Sequence, residues 1–466
     1  MEGITLAQIA KWCDGTVAKE HARVVVTGFT KDSRQMAAGD MYVAIHGMRN
    51  DGHDFVQTVM ESGAAAVLVD RPQAPEIPAV LVQDTVTALG RIASGYRSIM
   101  RAKVLAITGS VGKTTTKEML AAIMGKSHVI GKTPQNYNNR IGLPLSILNM
   151  DRSCEVAVLE MGMNQFGEMS YLTRIARPNV AVINNIGTMH IENLGSRQGI
   201  LQAKLEILEG LQAGGVIVFN GDEPLLTDLR GKYPFRMLYF GISNKECDVI
   251  AEHIESGDGH TEFTVKGFGK EFPVWLPTEG MHNVYNALAA ITVALECKIT
   301  PEEIADALHD FTNAAMRLNT YEQNGFTIID DCYNAGPEST AVALGILGDK
   351  KTEGQRIAVL GDMLELGHRA AAEHYRIGRI ASQKADLILT CGKVSNRIVT
   401  GAVTGGTAQR NAIHFATKEE LVKTLLNRAQ AGDVILFKGS RSMHMEQALA
   451  MFEEQVAQRA TEDEGV

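Results

Sequence analysis

Short runs of apolar, largely β-branched residues recur along the chain. Most are followed by stretches whose apolar positions repeat every three or four residues, the signature of strands alternating with amphipathic helices. Over residues 1–100 the pattern predicts a helix at 6–12, strands at 23–27, 41–44, 66–69 and 80–82, and a helix at 55–62. From 101 to 313 it predicts strands at 104–108, 156–160, 180–184 and 216–219 with helical stretches between them, then an antiparallel excursion at 261–265 and 271–275. Helices follow from 280 and over 301–311, with Asn283 able to cap the first. From 314 to 466, strands at 327–331, 357–360, 387–390 and 434–437 alternate with helices at 339–347, 370–383 and 418–428, and the tail from Ala460 is expected to fray. The expectation is an α/β protein of three domains, 1–100, 101–313 and 314–466. The second is built on a mostly parallel sheet, and the third on a Rossmann-like doubly wound sheet without a Gly-x-Gly-x-x-Gly turn. Sites in such sheets lie at the carboxyl ends of the strands.

Composition narrows the class. A chain of 466 residues exceeds one core, and with 45% hydrophobic residues each domain can bury its own. The formal net charge of -9 and the lack of a Lys/Arg run leave no basic field for nucleic acid, so a small-molecule substrate is expected. No signal-peptide start or membrane-length apolar stretch is present, and a cytoplasmic protein without membrane insertion is expected. The six cysteines, Cys13, Cys154, Cys247, Cys297, Cys332 and Cys391, show no paired spacing and are expected to be reduced and mostly packed.

Candidate chemistry begins at Thr108-Gly109-Ser110-Val111-Gly112-Lys113-Thr114-Thr115, between a predicted strand and a helix. Its glycines allow backbone N–H groups to converge on phosphate oxygens, Lys113 can reach the terminal phosphates, and Thr114 or Thr115 can offer magnesium a hydroxyl. The usual spacing places a glycine at 107, where this chain has Ile107, so the loop is a variant. Glu160 ends the strand at 156–160, where a magnesium ligand would project, though a strand-end glutamate is as often a surface residue. His190 centres the next strand-end loop, which raises a metal or phosphate role above a structural one. Lys204 lies among apolar helix neighbours, a setting in which lysines usually snorkel outward. Asn283 and Asn286 could bracket an adenine or ribose, or serve as capping and surface residues. Two polar clusters, Lys31-Asp32-Ser33-Arg34 and the one at 47–54, suit either a diphosphate or an ordinary solvated turn. Loops at 331–337, 361–367 and 438–442 should share one edge of the third sheet and face the central domain.

With these residues in view, the chain resembles the Mur ligases, ATP-dependent amide-bond-forming enzymes of peptidoglycan precursor synthesis. The resemblance rests on the Thr108 to Thr115 loop, Gln135-Asn136-Tyr137-Asn138-Asn139-Arg140, Glu160-Met161-Gly162-Met163, the His190 loop, Ala203-Lys204-Leu205-Glu206-Ile207, and His282 to Asn286. Asp32-Ser33-Arg34, Gly52-His53-Asp54-Phe55, Tyr333-Asn334-Ala335 and Gly361-Asp362-Met363-Leu364-Glu365-Leu366-Gly367 point to the branch that adds D-alanyl-D-alanine. Gly336 and Met316 depart from it, since the family more often has asparagine and glycine there.

The resemblance implies that Gly109, Ser110, Val111, Gly112, Lys113, Thr114 and Thr115 hold the ATP phosphates. Asn283, Asn286, Arg317 and Asp331 would contact the nucleotide from the domain junction. It implies two magnesium sites drawing on Thr114, Glu160, His190 and a carbamoylated Lys204. Lys113, Glu160, His190, Lys204 and Arg317 form the implied catalytic set. Ser33, Arg34, Asn138 and Asn139 would serve the acceptor, UDP-MurNAc-tripeptide, with the UDP portion in the first domain. Its carboxylate would attack the γ-phosphate to give an acyl phosphate, which the amine of D-alanyl-D-alanine then opens. A monomer is expected, with closure of the third domain completing the site. The rivals are a ligase adding another amino acid, a folylpolyglutamate synthase, and a nucleotide switch or transport ATPase.

Overall fold

The computed structural model describes residues 3–47, 50–257, 259–312 and 316–463. Met48 and Arg49 of the second polar cluster, Asn313 at the expected boundary and the terminal residues 464–466 lie outside them, as do the side chains from Ala460 on which fraying was expected.

Three main sheets share no strand. In the first, Gly28–Thr30, Asp40–Val43, Ala66–Val69 and Ala79–Leu81 run parallel in that order, with Thr16–Val17 added antiparallel at one edge. The single strand expected at 23–27 is divided: Val25–Val26 pairs with Ile4–Thr5 in a separate two-stranded ribbon, and Gly28–Thr30 joins the main sheet.

The central sheet has nine strands. Six of them, Ile130–Lys132, Val156–Glu160, Lys103–Thr108, Val180–Ile183, Val216–Asn220 and Arg236–Gly241, lie side by side and parallel, and Val249–Gly257 continues them. The excursion expected at 261–275 is antiparallel, as read, and extends this same sheet through His260–Gly267 and Lys270–Leu276. The strands at the centre are apolar on both faces because helices cover both sides. The third sheet orders Asn319–Gln323, Phe326–Asp331, Val434–Lys438, Arg356–Gly361, Leu387–Cys391 and Ala412–Phe415, parallel except for its first strand. Separate apolar cores lie on its two faces.

The sequence pattern missed the helix Thr85–Ile99, which joins the first two sheets. Gly90 and Gly95 lower its intrinsic propensity, and both are required by packing. A Cβ at Gly95 would lie 2.3 Å from the Trp12 ring, and one at Gly90 would lie 1.9 Å from the Tyr171 hydroxyl. Asp84 caps the helix by accepting from Thr87 N–H. Along this helix one apolar core runs without interruption from Leu6 and Ile9 into Leu143 and Leu172 of the central domain.

Polar bonds fasten the same junction. Tyr96 donates to Met150 O at 2.7 Å, Arg97 to Ala176 O at 2.8 Å, and Arg177 to Ser94 O at 2.9 Å. Asn149 both accepts from Phe29 N–H at 2.9 Å and donates to Phe29 O at 2.8 Å, the pattern of one rung of a sheet. Asn149→Ala leaves two main-chain groups of Phe29 unpaired and should cost about 1–3 kcal/mol, read as a lower urea midpoint at unchanged slope.

Candidate active site

The carboxyl ends of the central strands meet the third sheet around a cavity of about 750 Å³. On its floor the helix Lys113–Met124 starts at Gly112, whose φ of +81° is the left-handed conformation that glycine adopts freely. A side chain there would strike Asn286, with a Cβ 2.1 Å from its Oδ1. Lys113 Nζ donates to Gly109 O at 2.9 Å, and burial pushes its pKa down. Asn185 Oδ1 accepts from Ser110 N–H at 3.0 Å and Val111 N–H at 2.9 Å, which orders the loop amides around one acceptor.

Glu160 is 1% exposed. Its Oε2 accepts from the Thr114 hydroxyl at 2.8 Å and its Oε1 from Asn138 Nδ2 at 2.6 Å. Burial therefore decides between the two readings of this strand-end carboxylate, because it faces the site and not solvent. A buried hydroxyl and carboxylate in contact form a donor set that a hard divalent cation accepts.

Lys204 corrects the expectation of a snorkelling lysine, since it is 2% exposed. Burial, and secondarily Lys113, pushes its pKa well below the ordinary ammonium range. Among the described residues no carboxylate pairs with it. A buried amine whose charged form is disfavoured fits conversion to a carbamate, which removes the unfavourable charge and supplies oxygen ligands.

His190 and Lys204 both line the cavity. His190 Nδ1 is bonded to Glu365 of the third domain, and Glu192 N–H also reaches Glu365 O. Arg317 stacks over the Tyr333 ring at 4.0 Å. Asp331 pairs with buried Lys438 and accepts from Leu318 N–H at 3.3 Å; burial raises its pKa against the pull of Lys438 and Arg317. The loops at 331–337, 361–367 and 438–442 do share an edge. Ser440 N–H donates to Asp362 O, Leu364 N–H to Ser440 Oγ at 2.9 Å, and Ser440 Oγ to Ala335 O at 3.2 Å.

Other expected residues fall in different settings. Asn283 does not cap its helix: Gly280 occupies that position, and Asn283, one turn inside, donates to Glu279 O at 3.0 Å. Asn283 and Asn286 are buried and line the cavity, with Asn286 Oδ1 bonded to Thr116. Thr115 lines the cavity, as does Asn139, whose Oδ1 accepts from Ile141 and Gly142 N–H. Ser33 and Arg34 do not line it; Arg34 is exposed and paired with Asp32, which it holds at a pKa of about 2.

Lys117 was missed. It is fully buried one helical turn past Lys113, and its Nζ donates to Thr133 O at 2.8 Å and Gln135 O at 3.3 Å, holding the loop that carries Asn138. Its spacing from Lys113 was the available signal. Lys438 was read only as part of a loop.

The description "Mur ligase middle domain" matches residues 107–294, "Mur ligase, glutamate ligase domain" matches 316–441, and "Mur ligase family, catalytic domain" matches 25–97. The chain belongs to the Mur ligase family. Among relatives of this Mur ligase, the UDP-N-acetylmuramoyl-tripeptide--D-alanyl-D-alanine ligase of Bacillus subtilis strain 168 is 40% identical over 95% of this chain and 97% of its own. MurF from Acinetobacter baumannii superposes with a TM-score of 0.88 at 33% identity, covering 97% and 99% of the two chains. MurF ligase from Thermotoga maritima in complex with ADP gives 0.81 at 31% identity, covering 93% and 99%.

His282 also lines the cavity of this Mur ligase, and its Nε2 has no hydrogen-bond partner. Burial and the Lys438 charge lower its pKa to about 4. Between the unfolded value near 6.5 and this folded value, the unfolded chain binds the proton and the folded chain does not, so stability falls as pH falls through that window. Wild type should lose up to roughly 3 kcal/mol more than His282→Gln between pH 7 and pH 4, measured by urea unfolding.

Proposed function

We infer that this chain is an ATP-dependent ligase joining D-alanyl-D-alanine to the tripeptide carboxylate of UDP-MurNAc-tripeptide, making the pentapeptide precursor of peptidoglycan. The observation that carries this reading is the near-full-length likeness to ligases of that name. The likeness to an ADP-bound relative supports ATP use, and the cavity supplies groups suited to both half-reactions. The proposed divisions are 1–100 for the UDP substrate, 101–313 for ATP and 314–466 for closure; the three independent sheets support them. The setting is cytoplasmic, where ATP and nucleotide-linked precursors are available. No helix among the described residues is long and apolar enough to cross a membrane. A single chain supplies every group invoked, and we propose a monomer as the working form.

In this reading the Gly109 to Thr115 amides and Lys113 hold the ATP phosphates, and Thr114 with Glu160 holds one magnesium. His190 and carbamoylated Lys204 serve the second. The two ions would supply charge neutralisation where the carboxylate and the γ-phosphate approach. Lys113 and Arg317 aim fixed positive charge at the same place. Asn283, Asn286 and Asp331 position the nucleotide, Asn138 and Asn139 the peptide end of the acceptor, and Ser33 and Arg34 its UDP end. The acceptor carboxylate attacks the γ-phosphorus and ADP leaves. The D-alanyl-D-alanine amine then adds to the acyl carbonyl and phosphate departs, with no covalent enzyme intermediate. The Glu365 contact to His190 links domain closure to the metal-site loop.

Phosphate release from Mg-ATP should require both UDP-MurNAc-tripeptide and D-alanyl-D-alanine and yield UDP-MurNAc-pentapeptide by mass. Release indifferent to both substrates would instead support the ATPase alternative. Lys113→Met should lower kcat by a factor on the order of 100 to 1,000. For Lys204, isotopically labelled bicarbonate should give a carbamate carbonyl NMR signal in wild type that is absent from Lys204→Met. Its absence from active wild type would remove the carbamate from the scheme.

A further inference from the structure

Away from the active-site cavity, two imidazoles of the first domain stack on each other and face the same two carboxylates. The rings of His46 and His53 lie 4.8 Å apart. A tight chain return brings them together: His46 and Asp51 form an antiparallel bridge, Gly47 N–H donates to Asn50 O, and Gly52 N–H donates to Ile45 O. Asp51 caps the turn Gly52–Phe55 by accepting from His53 N–H, and Asp70 follows the strand Ala66–Val69. Each group therefore stands on backbone fixed by regular structure.

The four ring nitrogens divide by role. Both Nδ1 atoms face Asp51, at 2.7 Å for His53 and 3.2 Å for His46. Both Nε2 atoms face the Asp70 carboxylate, at 3.1 Å for His53 and 3.0 Å for His46. The Asp70 N–H also donates to His53 Nε2 at 3.2 Å, so that nitrogen carries a lone pair and the ring proton sits on Nδ1, toward Asp51. This is the arrangement of a metal-binding histidine, whose outer nitrogen donates to a carboxylate while the inner one offers its lone pair. Here one carboxylate supports two imidazoles. The ligand atoms of His46, His53 and Asp70 all lie within 4.8 Å of one another. The His46 side chain is 58% exposed, which gives an ion an entry path and leaves positions for water.

We propose that His46, His53 and Asp70 form a binding site for one divalent transition-metal ion, with Asp51 as the shared outer carboxylate. Two imidazoles and one carboxylate select zinc or its neighbours over magnesium, which prefers oxygen ligands. On binding, the ion takes the place of the hydrogen bond between His46 Nε2 and Asp70 and of the long bond from Asp70 N–H to His53 Nε2. None of these four residues lines the ATP cavity, so the ion would sit outside that cavity. The ion links His46 to Asp70 at the end of a different strand, and binding to the folded form alone raises stability.

The test uses full-length protein stripped with EDTA, titrated calorimetrically with zinc chloride, and with cobalt(II) followed by its visible absorption. Wild type should bind one ion per chain at this site in the micromolar range, with nitrogen-ligated cobalt bands and a raised thermal midpoint. His46→Ala, at an exposed position, should weaken that binding by about 10- to 100-fold and abolish the thermal shift. Asp70→Asn should weaken it comparably. Absence of micromolar binding overturns the proposal. So does equal binding by wild type and His46→Ala, which would place the ion elsewhere, including the carboxylates of the ATP cavity.

Discussion

The constraint on which the site depends is the burial of Glu160 between the Thr114 hydroxyl and the Asn138 amide. A buried carboxylate is costly unless its oxygens are bonded, and here the bonds come from different elements. Thr114 lies in the first turn of the phosphate-loop helix, and Asn138 lies in the loop after Ile130–Lys132. The Glu160 main chain completes the link by donating to Thr133 Oγ1 at 3.0 Å. Lys117 holds the same loop from beneath through two carbonyls. Satisfying this one carboxylate thereby fixes the separation between the phosphate loop and the loop expected to meet the acceptor.

That geometry is useful only if one wall of the cavity is rigid and the other can move. The first and central domains share an uninterrupted core and a sheet-like pair of bonds at Asn149. They therefore present the turn at 32–35 and the phosphate loop as one body. The third domain keeps its own two cores, and its contacts with the central domain include two ion pairs, Glu365 with His190 and Lys350 with Glu279 at 2.7 Å. Polar interfaces of this kind are less costly to open and remake than apolar ones. The division of labour follows from what is buried at each junction.

Much of this was legible in the sequence, and the failures have physical causes. The parallel strands appeared because burial on both faces makes them apolar runs, and the phosphate loop because its glycines and lysine are local in sequence. Helix Thr85–Ile99 escaped because Gly90 and Gly95 weaken its helical signal, although each lets an aromatic side chain approach. The Lys204 environment escaped because burial of a lysine depends on distant segments that periodicity does not report. Asn283 appeared able to cap because a cap is a local rule, yet the chain turns three residues earlier at Gly280, whose φ is +100°. The chemistry-bearing residues were legible by type, while the partners that folding brings to them, Glu365 of the third domain for His190 and Lys438 of the neighbouring strand for Asp331, were not.

Two departures from the family pattern show how such long-range terms enter. Met316 stands where glycine is commoner, and its φ is +61°, so the chain keeps the left-handed turn before Arg317 and bears the strain of a side chain there. Gly336 stands where asparagine is commoner, and a Cβ on it would lie 2.8 Å from Met189 Cγ, beside His190. The space released on the third domain is filled by a side chain of the central one. A substitution on one side of the cleft is thus understood only with the residue it faces on the other, and the cleft wall is a property of the two domains together.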